Sequence, residues 1–428
     1  MNLLPRLVVG EWRTSGTCSS SPPGQWRYPP EVVLDLSRLL SRVRHPSPTG
    51  IDRVEMAYAR TLSRLIPDRL RFAAVHPTGV YGRLPSRSVE EFLNRTEERW
   101  ESTGGAERRM QGQLAAVNHC WLLRPRPVPD GTAQRVLLQV SPHHLQHSAI
   151  IARKLRRECA RFVCMVHDLI PITHPEYARP TGSDLHERRM RSVETFADGI
   201  LANSQATLDV FLQRPEAHSS GRPARVARLG VDPTWLRPTP SRAPNRSYFV
   251  CLSTIEPRKN HLLLLHIWRS MIEALGAEQV PTLYLVGRRG WENENVVDML
   301  DRCQTLRGCV RELPRLPDSQ LRDLLAGARA LLMPSFAEGF GMPISEALAA
   351  RVPVIASDIP AHREAGGPAP DYIDPIDGTA WRQAILDYSA PASARRAAQK
   401  TRLCHWHPVT WDAHVKTALS LVEEVAAC

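Results

Sequence analysis

Short apolar runs recur along the chain, and between them apolar positions fall three and four residues apart. VVLDLSRLL, RLRFAAVH, VLLQV, RFVCMVHD and GILANS lie in the first half; SYFVCLST, PTLYLVG, VRELPR, ALLMPS and VPVIAS lie in the second. Runs of about six residues rich in Leu, Val and Ile predict buried strands. IDRVEMAYARTLSRLI, DSQLRDLLAGA and the segments around 149–159, 185–196, 261–275 and 296–306 carry the helical spacing. Strands separated by helices of about ten to fifteen residues mean parallel sheets covered on both faces. VDPTWLRPTPSRAPNRS, at 231–247, is dense in Pro and Arg and splits the alternation into two sets. The predicted class is α/β, with two facing, doubly wound, Rossmann-like domains at 31–235 and 236–405 and a helix within 406–428. Residues 1–30, with GTCSSSPPGQ, read as unstructured. Residues 81–131 settle into no period, although EEFLNRTEERW looks helical.

Composition narrows the class of partner. The chain has 428 residues, 43% hydrophobic and 23% charged, enough for two sizeable cores. It has no apolar run of about 18 residues, and MNLLPRLVVGEW is too short and interrupted for a signal peptide. Nine cysteines without a C-x-x-C pair suggest neither a disulfide framework nor a zinc site, which favours a reduced, cytoplasmic setting. The formal charge of +11 is nearly all arginine, since only four of the 55 basic residues are lysines. No recognisable nucleic-acid module accompanies the dispersed arginines, so nucleic acid is not the expected partner. RKLRRECARF, 153–162, gathers charge on one helix and is a candidate for peripheral contact with an anionic membrane; a solvated surface is the plainer alternative.

Parallel sheets bind ligands beyond the carboxyl ends of their strands. T-I-E-P-R-K-N (254–260), G-R-R-G-W (287–291) and S-F-A-E-G-F-G-M-P-I-S-E (335–346) all follow such strands. In the last, Glu338 lies in a loop and Glu346 in the following helix. Gly339 and Gly341 between them let a ligand approach the backbone, and the helix start offers free amides. An anion seat between two acceptors matches a nucleotide sugar: sugar, diphosphate, ribose. Arg258 and Lys259 can neutralise a diphosphate, or Arg258 can simply pair with Glu256. His167 and Asp168, past a first-half strand, can bond a substrate hydroxyl and orient the imidazole, or merely hold a loop. His174 reads as structural. Ser47-Pro-Thr-Gly50 resembles a small phosphate-facing loop. Ser253, Thr254, Gly287 and Arg288 share the same strand ends and complete the candidate set.

Together these motifs resemble a family. E-G-F-G-M-P-I-S-E with I-E-P-R-K-N, H-D-L-I-P-x-x-H-P-E-Y and L-A-N-S-Q-A-T is similar to the retaining GT-B glycosyltransferases of group 1, often called family four. The likeness runs over roughly 163–377 plus 47–54 and leans toward bacterial mannosyltransferase-like enzymes of surface polysaccharide synthesis. It implies that Glu338 binds donor-sugar hydroxyls, with the amides of Gly339, Phe340 and Gly341 lining sugar and phosphate. It further implies that Glu346 holds the ribose, Arg258 and Lys259 the diphosphate, His167 the sugar from the first domain, and Gly50 the phosphate. Leu252-Ser253 stands where many members carry Gly-Arg, which leaves one phosphate contact unfilled or assigned to Arg258. The C-terminal helix should return to brace the first domain. The implied reaction is metal-independent and retaining: transfer of a hexose, mannose from GDP-mannose foremost, to a glycan or lipid-linked oligosaccharide, with no cofactor. A nucleotide-sugar epimerase or phosphorylase of this build, or a silent sugar-nucleotide-binding protein, is the alternative.

Overall fold

The computed structural model describes residues 29–45, 47–101, 117–118, 120, 123–131, 133–218, 221–237 and 246–428. The unstructured reading of 1–30 therefore lies outside the described residues, apart from its last two prolines, and so does the middle of the proline-rich segment. Two sheets carry the molecule. The first contains β1 (Glu31–Asp35), β2 (Leu70–Val75), β3 (Tyr81–Leu84), β4 (Arg135–Gln139), β5 (Ala160–Val166), β6 (Gly199–Ala202) and β7 (Ala224–Val226). The second contains β8 (Tyr248–Leu252), β9 (Thr282–Val286), β10 (Val310–Leu313), β11 (Leu331–Met333), β12 (Val354–Ser357) and β13 (Asp371–Ile373).

Strand order is β3-β2-β1-β4-β5-β6-β7 in the first sheet and β10-β9-β8-β11-β12-β13 in the second. Every pair is parallel except β2–β3. Each order reverses once, at β1/β4 and at β8/β11, and a crevice opens beyond the strand ends at such a reversal. Alternate strand residues feed opposite faces. Val32 and Leu34 join one apolar cluster and Val33 another; Val250 is separated in the same way from Phe249 and Cys251. Burial on both faces explains why these strands read as continuous apolar runs rather than alternating ones.

The helices that matter for the site are α1 (Gly50–Leu65), α2 (Ser148–Glu158), α3 (Gln205–Leu212), α4 (His261–Leu275), α5 (Met342–Ala349), α6 (Pro360–Gly366) and α7 (Trp411–Ala427). Thr49 and Asp52 form a reciprocal capping box at the start of α1. The last helix, α7, crosses to the first sheet and packs on β4 to β7 and on α1. His414 fixes it there: its Nδ1 donates to the carbonyl of Arg228 at 2.9 Å, and its Nε2 accepts from the Tyr58 hydroxyl at 2.8 Å. No helix among the described residues is long and apolar enough to cross a membrane.

Two sequence readings change. The aperiodic 81–131 stretch contains the short antiparallel strand β3, beside the helix Ser86–Glu101 that EEFLNRTEERW suggested. RKLRRECARF is not one charged face. Lys154 is fully buried, bonded to Asp35 at 2.6 Å and to Gln139 at 3.1 Å, while Glu158 is buried against Arg83 and Tyr81. A buried ammonium needs such partners, so the charge density of this segment belongs partly to the core.

Candidate functional site

At the carboxyl end of β11 the chain turns through Ser335 to Gly341 and enters α5. Gly341 has φ of +111°, a conformation open to glycine, and a Cβ there would come within 3.2 Å of the His362 ring. Gly339 is constrained from the other side: a Cβ would lie 2.2 Å from the carbonyl oxygen of His167 in the first domain. The two domains touch here through backbone. Asn203 and Ser204 complete the contact. Asn203 Nδ2 donates to the His167 carbonyl at 2.8 Å, and Ser204 Oγ to the Gly339 carbonyl at 2.7 Å. The L-A-N-S-Q-A-T motif had no assigned residue roles in the sequence; its geometry is that of a clasp between the two candidate loops.

Glu338 is nearly buried, and both of its oxygens are engaged. Its Oε2 accepts from Arg258 at 2.7 Å, and its Oε1 accepts from Ser335 Oγ at 2.8 Å and from Lys259 Nζ. Burial alone would raise its pKa, but the Lys259 and Arg258 charges outweigh it and hold the carboxyl well below the usual range. Arg258 also pairs with Glu256 at 2.7 Å and donates to the Ala337 carbonyl at 2.9 Å. The pairing of Arg258 with Glu256 is thus realised, with Glu338 as a second partner, and the four charges of Glu256, Arg258, Lys259 and Glu338 form one neutral cluster. Burial and the Arg258 charge draw Lys259 down, yet the ionised Glu338 beside it keeps the ammonium charged.

Glu346 has the opposite environment. Its carboxyl makes no hydrogen bond or ion pair among the described residues. Burial pushes it up to about 7, partly offset by the Arg53 charge and supported by Asp318 and Asp232. Arg53 reaches across from α1 to Asp318, with one bond of 2.5 Å, and so ties the first domain to the second beside this carboxyl. Gly50, at the head of α1, faces Met342: a Cβ there would meet the thioether sulfur at 3.7 Å. The starts of α1 and α5 therefore confront each other across the cleft, each with a positive dipole end.

His167 donates Nε2–H to the carbonyl of Val140 at 2.7 Å, which leaves Nδ1 as an acceptor; burial keeps the ring neutral. Asp168 does not orient this imidazole. Its Oδ1 accepts from the Ile170 amide at 3.1 Å, holding the turn after β5, so Val140 takes the orienting role. Ser253 bonds His261 at 3.2 Å, and its carbonyl lies against Gly287, where a Cβ would come within 2.0 Å. Thr254 packs against Gly290, and the Arg288 carbonyl accepts from Ile255 at 3.0 Å. These four residues build the floor of the loops after β8 and β9. Phe340 turns its ring into the core, which leaves its backbone to the loop. His174 stacks on Tyr177, and Tyr177 on Phe336, across the domain boundary.

Sequence reasoning missed three contributors. Asn260 adopts φ of +54° and donates to the carbonyls of Pro334 and Pro375, so it joins two loops rather than just starting a helix. Glu364, on α6, accepts from the amides of Gln205 and Ala206 at 2.7 and 2.8 Å and so caps α3 of the other domain. His362 is buried with Nδ1 bonded to the Ser357 carbonyl and Nε2 unpartnered. Each acts through tertiary contacts, and only Asn260, before an apolar helical run, had a local signal.

Residues 246–389 match the family model described as glycosyl transferases group 1. Over 167 residues the chain is 34% identical to the O-antigen chain mannosyltransferase B of Escherichia coli, covering 39% of this chain and 43% of that one. The chain spans less than half the length of the first curated relatives it matches. Among solved structures, Anabaena HepE in complex with UDP matches with a TM-score of 0.57 at 18% identity, over 91% of this chain and 98% of that one. Sucrose-phosphate synthase from Thermosynechococcus elongatus matches with 0.60 at 14% identity, over 92% and 98%. The fold is GT-B.

Proposed function

We propose, for a chain whose residues 246–389 form a group 1 glycosyltransferase domain, that it moves mannose from a nucleotide sugar, GDP-mannose foremost, to a glycan or lipid-linked oligosaccharide in surface polysaccharide synthesis. One observation carries this reading: the Glu338–Gly341 loop of the second domain meets His167 of the first through backbone contact, so both candidate sets border one cleft. The mannosyltransferase relative supports the sugar, and the UDP held by HepE supports a nucleotide donor. We place the protein in the cytoplasm, at the inner membrane face when its acceptor is lipid-linked.

The chemistry follows from charge. Breaking the bond between the sugar anomeric carbon and the phosphate oxygen leaves negative charge on the nucleoside diphosphate. In this reading Arg258, Lys259 and the start of α5 stabilise that charge, with no metal required. Glu338, kept ionised by the two cations, accepts from sugar hydroxyls. His167 Nδ1 accepts another from the opposite side. Glu346 is left free to accept from a ribose diol. The acceptor oxygen bonds to the anomeric carbon on the face the phosphate leaves, and its proton passes to the departing phosphate oxygen. Incubating GDP-mannose with a lipid-linked oligosaccharide and reading the product by NMR tests this reaction. A glycoside of retained α configuration is expected; an inverted product, or donor turnover without any acceptor, contradicts it.

A further inference from the structure

Outside the donor cleft, the first domain holds a cavity of about 560 Å³, within the range of small-molecule sites. It lies where the strand order of the first sheet reverses, since its walls come from the segments after β1, β2 and β4 and from α2. Leu40, Val43 and Tyr81 make a buried apolar floor, and the half-buried Val75 and Ile150 extend it. Arg44 and Arg153 also line the cavity and are exposed, which puts both cations at its mouth. Among the described residues no aspartate or glutamate lines it. His144 stands on the wall with φ of +64°, a strained backbone of the kind that gathers at ligand sites. Its Nδ1 has no hydrogen-bond partner among the described residues.

The surface around the mouth has the character of a membrane face. Val80, between the lining residues Gly79 and Tyr81, is 52% exposed. The exposed charged side chains of α2, Arg153, Arg156 and Arg157, are all basic, while its one acid, Glu158, is buried. Arg157 ties this helix to the cavity wall by donating to the Tyr81 carbonyl at 2.9 Å. An exposed apolar residue beside clustered cations suits an anionic interface. The loop after β4 links the cavity to the cleft. Gln139 donates to the carbonyls of Ser141 and His143 at 3.0 and 2.8 Å, and His167 donates to Val140 of the same loop.

An apolar floor under a cationic mouth fits an anionic amphiphile. A free sugar phosphate would leave the floor unfilled, and an uncharged glycan would make no use of the two guanidinium forks. We propose that this cavity binds a single-chain lipid phosphate, with Arg44 and Arg153 on the phosphate and the floor on the first part of the chain. It thereby seats a membrane-borne acceptor on the first-domain side of the cleft. That role as an acceptor seat rests on the transferase reading, but the binding itself does not.

The test is calorimetric titration of dodecyl phosphate, kept below its micelle concentration, into the full chain. Wild type should bind it at one site, roughly tenfold or more tighter than inorganic phosphate or dodecyl maltoside, because it alone engages both floor and mouth. Arg153→Glu should weaken it roughly tenfold. Arg156→Glu, the same charge change on the same helix but outside the cavity lining, should alter it by less than about twofold. Ile150→Trp, which fills the cavity, should abolish binding with its circular dichroism unchanged. Equal affinity for dodecyl maltoside or for inorganic phosphate overturns the site, as do equal losses in the two arginine variants or retained binding in a folded Ile150→Trp. Displacement by GDP or UDP also overturns it, by putting the probe in the donor seat. If dodecyl phosphate obeys these expectations while no nucleotide sugar binds, the site stands and the transferase reading fails. If nucleotide sugars bind and dodecyl phosphate does not, the reverse holds.

Discussion

The two glutamates that bracket the glycine loop share a segment and almost nothing else. Glu338 is surrounded by Arg258, Lys259 and Ser335 and stays ionised under all ordinary conditions. Glu346, one loop and one helical turn later, has no bonding partner among the described residues, and its carboxyl is pushed up to about 7. The difference teaches that the cleft holds one finished acceptor and one unfinished one. Preorganised charge suits a transition state, whereas an unsatisfied, burial-raised carboxyl awaits hydroxyl donors.

The sharpest break in that contrast is to strip the finished end of a cation. Lys259→Gln removes the ammonium proposed to stabilise the leaving phosphate and leaves Glu338 to Arg258 and Ser335, and kcat should fall by about 10²–10³ in a steady-state transfer assay. An undiminished kcat would make Lys259 a scaffold for Glu338. Next comes the contact that brings the domains together. Gly339→Ala drives a methyl into the His167 carbonyl, and a displacement of about 1 Å should cost on the order of 10² in kcat/KM. Small-angle scattering should show a more open average shape.

The unfinished end is sharpened by pH. In the proposed reading the ionised Glu346 holds the donor, so affinity should rise between pH 6 and 8 as the carboxyl loses its proton, and Glu346→Gln should weaken the donor roughly tenfold and flatten the profile. Stability runs the other way. The folded-state pKa lies above the unfolded value, so the folded chain keeps a proton that the unfolded chain releases. Glu346 therefore contributes stability that is complete below about 4.5 and lost as pH rises through about 7. Glu55, fully buried and pushed up to about 8, adds the same sign. Thermal unfolding from pH 4.5 to 8 should show the decline, smaller in Glu346→Gln. The smallest effect belongs to the clasp on α3. Glu364→Gln exchanges a charged cap for a neutral one across the domain boundary and should cost about 1 kcal/mol or less in denaturant unfolding.

Much of this architecture was legible in the chain. Strands such as ALLMPS and VPVIAS announce themselves because parallel strands are buried on both faces, and His261 to Leu275 appear as the helix they form. The glycine loop was legible because Gly341 needs a left-handed φ and Gly339 a bare Cα, both visible as residue type. What stayed hidden depends on partners far along the chain. Asp168 and Val140 could exchange the job of orienting His167 without changing the V-H-D-L-I-P motif. Lys154 looked like surface charge because its partner, Asp35, is 119 positions away. The antiparallel strand β3, four residues long, is too short for a period to register.

The most direct test of the central claim, that this cleft is a nucleotide-sugar clamp completed at Glu346, is calorimetric titration of GDP-mannose into wild type and Glu346→Gln at pH 6 and pH 8. The account predicts one-site binding to wild type that tightens from pH 6 to pH 8, and binding to the variant that is weak and indifferent to pH. Equal binding to both proteins at both pH values would contradict it, as would no binding of this donor at either.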